Sequence, residues 1–253
     1  MKYYKNIVFV FFLFTTIFCN SQKIDIDSLN SKQLKFNYKQ LILPTVLIGY
    51  GVIGIESDNL KLFNSEIKEE VKENIDESLT IDDITQYLPL TTALGLDLVG
   101  IKGKNKIKDK AIIAATAILI TGISVTSIKR ISHVERPDGT SFDSFPSGHT
   151  ANAFMGAEFL YQEYKDNSIW YGISGYLVAS GTGAFRIYNN RHWFTDVVAG
   201  AGIGILSTKV AYWLYPTVNK LFTNKNKKET NKKTVFIPYF DRKTIGFGFV
   251  STF

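Results

Sequence analysis

Six apolar stretches rich in Ala, Gly, Leu, Ile and Val recur along this chain, at 41–55, 87–101, 111–128, 150–161, 168–185 and 197–215. Each is longer than an ordinary strand and of helical length. That pattern predicts an all-α fold, a multi-helix bundle. Small residues crowd two of the stretches, Gly172, Gly175, Gly181 and Gly183 in one and Gly200, Gly202 and Gly204 in another. Small side chains let helix backbones approach closely, as membrane bundles require. A membrane-embedded bundle is therefore expected. A compact soluble helical domain is the alternative, because several stretches fall short of the roughly 20 residues that span a bilayer. The stretch at 150–161 also carries Asn152 and Glu158.

The chain begins with Lys2 and Lys5 and then an apolar run at 7–18. The run is short for a membrane span and matches the hydrophobic region of an export signal, with cleavage expected after Ser21. Cys19 is the only cysteine, so a mature chain beginning near Gln22 would contain none. Bulky Phe18 disfavours lipid attachment at Cys19. Four regions follow from this reading: a signal at 1–21, N-terminal helices and an acidic loop at 22–110, core helices at 111–215, and a basic linker with a C-terminal β-like hairpin at 216–253. Within the second region, 66–83 reads as a solvated amphipathic helix and loop. The hairpin is expected over 235–253, turning at 241–243.

The chain holds 29 Lys and Arg against 23 Asp and Glu, for a net charge of +6. The lysines concentrate at 102–110 and 220–233, beside apolar segments. Basic flanks of that kind read as cytoplasmic membrane anchors, not as a nucleic-acid surface. With both flanks cytoplasmic, four crossings fit between them and the loops at 129–149 and 186–196 fall on the exported side. One inconsistency follows. An exported mature N-terminus needs a single crossing to reach Lys102, yet two apolar stretches intervene. The stretch at 87–101, with its buried-looking Asp97, is then expected to be re-entrant or merely packed.

Three polar clusters sit at the ends of the apolar stretches. Lys129 precedes Arg136-Pro137 by seven residues, about two helical turns, so both cations can face one site. Pro146-Ser147-Gly148-His149 opens the next helix, where a hydroxyl, free N–H groups and the positive helix end favour an anion. Arg186 precedes His192 and Asp196, which stand four apart, so a helix starting near His192 lets the carboxylate hold one ring nitrogen. Three cations, an anion-binding helix end, two imidazoles and a carboxylate match the needs of phosphoryl transfer. In this scheme His192, supported by Asp196, attacks phosphorus, and His149 protonates the leaving oxygen and then activates water. Lys129, Arg136, Arg186, Ser147 and the Gly148 amide bind the phosphoryl oxygens. The clusters include no carboxylate group suited to a metal, and no cofactor is expected. Singly, each cluster also reads as a helix cap, an interfacial charge pair or a local ion-pair network. His133 reads as a solvated loop residue, and Trp193 and Phe194 as helix packing or a membrane-interface anchor.

Taken in order, the clusters resemble the three signature motifs of the type 2 phosphatidic acid phosphatase superfamily, which is related to the vanadium haloperoxidases. The family pattern is Lys-x6-Arg-Pro, Pro-Ser-Gly-His and Ser-Arg-x5-His-x3-Asp. This chain has Lys129-x6-Arg136-Pro137, the intact tetrapeptide ending at His149, and Arg186-x5-His192-x3-Asp196, with Phe185 in place of the motif serine. The resemblance implies an all-helical fold and a metal-independent phosphatase working through a phosphohistidine. The expected substrate is a lipid-linked phosphomonoester or diphosphate of lipid A, undecaprenyl, phosphatidylglycerol phosphate or phosphatidate type. Other readings are a soluble periplasmic acid phosphatase, a vanadate-dependent haloperoxidase and a non-catalytic phospholipid-binding membrane protein. The expected location is the bacterial inner membrane with the site facing the periplasm, and the alternative is a soluble periplasmic protein. Sequence does not specify the oligomeric state.

Overall fold

A computed structural model describes residues 37–73, 80–223, 234–241 and 244–251. The signal expected at 1–21 lies outside these residues. Eight helices are described: α1 (Lys39–Glu56), α2 (Asp58–Glu73), α3 (Asp82–Thr85), α4 (Leu88–Gly95), α5 (Ile107–Ser132), α6 (Gly148–Tyr164), α7 (Ile169–Tyr188) and α8 (Phe194–Thr223). Two C-terminal strands, β1 (Thr234–Asp241) and β2 (Thr244–Ser251), pair antiparallel, with Thr234 opposite Ser251 and Asp241 opposite Thr244.

Helix α6 is the axis of the bundle. Most of its residues are buried, from Thr150 and Ala151 through Phe159 and Leu160 to Tyr164. Such burial on all sides is expected of a helix with no outward face. It packs most closely on α8, and two glycines explain how. A Cβ added at Gly200 would lie 2.5 Å from the Ser147 carbonyl oxygen, and one at Gly204 would run into the Ala151 carbonyl oxygen. Glycine at these two positions lets the backbones touch. Helix α1 lies antiparallel to α8, with Gly54 against Thr195, Gly51 against Ala199 and Pro44 against Gly202.

The chain between α3 and α5 differs from expectation. Only Leu88–Gly95 is helical, with turns beyond it. The segment nevertheless runs the length of α6. Gln86 accepts a hydrogen bond from Asn152 at 3.1 Å, Leu90 lies against Gly156, and Ala93 O accepts from the Tyr164 hydroxyl at 2.9 Å. Lys104 N donates to Glu163 O at 2.9 Å. Both 39–56 and 82–105 therefore run from one end of the bundle to the other, and neither is re-entrant. Residue 37 starts at the same end as the 102–110 cluster. Irregular backbone can make this passage where its polar groups are bonded to α6 and to one another, as at Lys104 N on Glu163 O and Ile101 N on Leu96 O.

The polarity of the bundle is inverted. Ile42, Leu43, Val46 and Ile53 on α1, Ile118, Leu119 and Ile123 on α5, and Trp170 and Leu177 on α7 are exposed. Charged side chains lie inside. Lys110 was expected among the cytoplasmic anchors, yet it is fully buried, bonded to Asp97 Oδ2 and the Tyr164 hydroxyl at 2.8 Å each. Glu158 is buried and takes Lys209 at 2.6 Å, while Glu163 takes Asn105 at 2.6 Å and the Tyr212 hydroxyl at 2.5 Å. Partners at hydrogen-bond distance are what make buried charge tolerable. Among the described residues, three helices are long and apolar enough to cross a membrane: Lys39–Glu56, Ile107–Ser132 and Phe194–Leu221. Continuous apolar exposure of this extent is matched to lipid.

Candidate active site

The second polar cluster lies at the other end of α5. Lys110 and Lys129 are nineteen residues apart on this helix, a rise of about 28 Å. That is close to the thickness of a hydrocarbon core. At this end meet the C-termini of α5 and α7 and the N-termini of α6 and α8, which carry the three motifs.

Helix α5 stops at Ser132 because His133 adopts a left-handed conformation, φ 46°. Such a residue commonly ends a helix. Arg136 is thus in a loop, and its proximity to Lys129 does not come from helical periodicity as the sequence reading supposed. Asp143 brings the two together. Arg136 donates to both its oxygens, from Nε at 2.8 Å and from Nη2 at 3.2 Å, and Lys129 Nζ lies 4.0 Å from Oδ2. Lys129 also donates to the Asp143 carbonyl, and Ser141 donates to its carboxylate. Burial works against the charge of Asp143, but the bonds from Ser141 and Arg136 and the charge of Lys129 outweigh it. Its carboxyl is held down at about 2.

Ser147 N-caps α6 in position only. Its hydroxyl is fully buried and paired with Thr150 Oγ1 at 2.9 Å, while its N–H donates to Asp196 O at 3.1 Å. Gly148 and His149 follow in the first turn, whose N–H groups have no acceptor within the helix. His149 Nε2 lies 2.8 Å from Asp83 Oδ1. Arg186, at the end of α7, is buried and donates from Nη1 to Asp82 Oδ2 at 2.5 Å, and Asn189 donates to Asp82 Oδ1 at 3.0 Å. Arg186 Nε is buried with no acceptor among the described residues.

His192 and Asp196 are both almost fully buried. Helix α8 begins at Phe194, so His192 precedes it, and Nδ1 stands 3.6 Å from Asp196 Oδ2. Ser144 fills the gap between them. Its hydroxyl donates to Asp196 Oδ2 at 2.5 Å and lies 3.5 Å from His192 Nδ1. The Trp193 N–H also donates to Asp196 Oδ2, at 3.0 Å. Burial lowers the affinity of His192 for a proton. Asp196 opposes that, and the nearby cations Lys129 and Arg186 reinforce it, leaving His192 at about 4.

All eight residues singled out in the sequence thus gather at one end of the bundle, though Ser147 turns its hydroxyl inward. Four contributors were missed. Ser144 and Asp143 lie within six residues of His149 but look like ordinary loop residues. Asp82 and Asp83 belong to the acidic stretch that reads as solvated. Asp82 is instead buried beneath Arg186, since a buried guanidinium requires a counter-charge. The stretch expected at 66–83 as a solvated amphipathic helix and loop overlaps α2 only at 66–73, since the helix starts at Asp58, and α2 clamps the site loop. Asn64 donates to Thr195 Oγ1 at 2.9 Å, Lys68 donates to Pro137 O at 2.8 Å, and Phe63 packs edge-on against Phe194. Trp193 donates from its ring to Glu135 O at 2.8 Å and lies under Lys68, so it fastens a loop. Phe185 is half-buried and packs against Tyr188.

Among the described residues, Asp82, Asp83 and His149 place ligand atoms close enough to share a cation. The donor set fits a metal poorly. Both Asp82 oxygens are committed to Arg186 and Asn189, and the guanidinium alongside repels a divalent ion.

Residues 110–220 match the family model described as PAP2 superfamily. The chain is 41% identical over 154 residues to the lipid A 1-phosphatase of Porphyromonas gingivalis, covering 60% of this chain and 35% of that protein. It therefore spans about a third of the length of this relative. Among solved structures, it is similar to a transmembrane PAP2-type phosphatidylglycerolphosphate phosphatase from Bacillus subtilis, with 21% identity, 76% of this chain and 100% of that chain covered, and a TM-score of 0.47. It is also similar to LpxE of Aquifex aeolicus, with 22% identity, 70% and 96% covered, and a TM-score of 0.40.

Proposed function

We propose that this protein is a membrane phosphatase that hydrolyses a lipid-borne phosphate, with the 1-phosphate of a lipid A-type glycolipid as its leading substrate. One observation carries the reading. Three cations, two imidazoles and a buried carboxylate meet at the end of a bundle whose exterior is apolar. A phosphate on a lipid headgroup would lie at that level while its chains stay in the bilayer. The named relative supports the choice of lipid A.

The chemistry follows from the residues. Lys129, Arg136 and Arg186 hold the phosphoryl oxygens, with Arg186 Nε available for one of them, and the Gly148 N–H adds a donor at the helix end. Asp143 must yield its place on Arg136 and Lys129, so binding exchanges a carboxylate for a phosphate. Ser147 contributes through its backbone position at the start of α6. The neutral ring of His192 attacks phosphorus, forming an N–P bond as the ester P–O bond breaks, and His149 gives the leaving oxygen its proton. Water then attacks the phosphohistidine, His149 takes its proton, and inorganic phosphate departs as His192 is restored. Asp196, held by Ser144 and the Trp193 N–H, stabilises the charge that His192 acquires. With the 102–110 end cytoplasmic, the site faces the periplasm.

The test is phosphate release by detergent-purified protein in EDTA, from lipid A, phosphatidylglycerol phosphate, phosphatidate, undecaprenyl diphosphate and soluble monoesters. Release that persists in the chelator, favours a lipid and disappears in His192→Ala is expected. A preference for soluble esters would refute the lipid assignment, and loss of release in EDTA would refute metal independence.

A further inference from the structure

Asp83 belongs to a segment outside the region that matches the superfamily, residues 110–220, yet its carboxylate lies 2.8 Å from His149 Nε2. It is held there from several sides. The neighbouring Asp82 is bonded to Arg186 and Asn189 of the α7 end. The Asp83 carbonyl accepts from Gln86 Nε2 at 3.0 Å, and Gln86 Oε1 accepts from Asn152 Nδ2, one turn along α6 from His149. Thr85 and Thr182 share a hydrogen bond at 2.9 Å, fastening α3 to α7.

We propose that Asp83 is a positioning residue for His149. Its carboxylate accepts the Nε2 proton, fixes the ring, and leaves Nδ1 to give and take the proton that moves during the reaction. This rests on the reading of His149 as the acid. A general acid must hold its proton before the bond breaks. Burial opposes the imidazolium of His149 most; of the charged groups facing it, Arg186 from α7 also opposes it, and Asp82 and Asp83 from α3 favour it. Asp82 is already spent on Arg186. Asp83, in direct contact, is the group left to offset the guanidinium. A mere surface ion pair would have little effect on either stability or rate, so the two accounts differ in outcome. With its side chain 60% exposed, Asp83 can be replaced without opening a cavity.

The experiment compares wild type, Asp83→Asn, Asp83→Glu, His149→Ala and the double variant Asp83→Asn/His149→Ala. Two soluble monoesters are used, one with an activated nitrophenyl leaving group and one with an alkyl leaving group. Asp83→Asn should lower kcat/KM for the alkyl ester by about tenfold and for the nitrophenyl ester by less than about threefold, because a good leaving group needs little acid assistance. Asp83→Glu should recover most of the loss, and the double variant should be no worse than His149→Ala. An NMR titration of the His149 ring should show its midpoint falling by about one pH unit in Asp83→Asn. Equal losses on both esters, or an unmoved His149 midpoint, would overturn the role of Asp83. Should His149→Ala itself slow both esters equally, it is the acid assignment that fails, and the ring titration still decides whether Asp83 holds His149.

Discussion

His192 is an imidazole kept neutral by its surroundings. Burial and two nearby cations depress its proton affinity to about 4, against the pull of Asp196. In the proposed mechanism the neutral ring is the form that attacks phosphorus, so His192 is expected to stay competent well below the usual histidine range. The acid limb of kcat/KM, which reports the free enzyme, is expected near pH 4 once the ionisation of the substrate is divided out. A limb near 6.5 would mean that His192 is solvated. The same depression has a stability consequence. Between about pH 6.5 and 4 the unfolded chain takes up a proton that folded His192 refuses, so stability should fall as pH drops through that window. Ser144 explains how Asp196 serves a ring it does not quite touch. The hydroxyl binds one carboxylate oxygen and stands beside Nδ1, so the spacing of four residues is necessary but not sufficient for the pairing. Residue types at motif spacing identified His192 and Asp196. The serine between them depends on a loop folding back, and no local pattern marks it.

At the level of elements, the central contact is α6 against α8, and it depends on the absence of side chains. Gly204→Ala is expected to destabilise the fold by several kcal/mol, because the added methyl meets the Ala151 backbone and overpacking at backbone cannot relax. Gly181→Ala, on α7, has nothing within 4 Å of the added carbon and should be neutral. Thermal unfolding in detergent distinguishes the two. Equal stability of both variants would show that α6 and α8 separate more readily than described. The glycine-rich stretches were legible as close-packing helices, but which glycines bear a neighbour was not. Periodicity gives a face, and the partner comes only from the bundle. The segment at 82–105 is the clearest departure. Its apolar composition reads as a helix, yet half of it is turns, because its hydrogen bonds go to α6 and to side chains such as Glu163.

Over the whole molecule, two polar clusters lie at opposite ends of an apolar body. One holds Lys110, Asp97, Glu163 and Glu158, and the other is the candidate active site. The 102–110 lysines are at the first end, so the site end should face outward. The measurement is thiol labelling with Cys19 replaced by serine. A membrane-impermeant reagent should reach Thr140→Cys from the periplasmic side and Lys108→Cys only after lysis. The reverse pattern would put the site on the cytoplasmic side. Because both α1 and the 82–105 segment run the length of the bundle, residue 37 lies at the end of the 102–110 lysines, opposite to where an exported N-terminus would put it.

What the sequence determined by itself was the class of fold and the set of residue types that meets at one end of the bundle. Motif residues lie at helix ends because helix termini offer uncapped N–H groups and a dipole, and apolar runs of that length have few ways to satisfy their backbone. What only the tertiary structure decided was the company those residues keep: Asp82 beneath Arg186, Asp83 on His149, Asp143 across Lys129 and Arg136, and Ser144 between His192 and Asp196. Those pairings join positions as much as 104 residues apart. They are set by which charges become buried together, and burial is a property of the packed chain that no window of sequence contains.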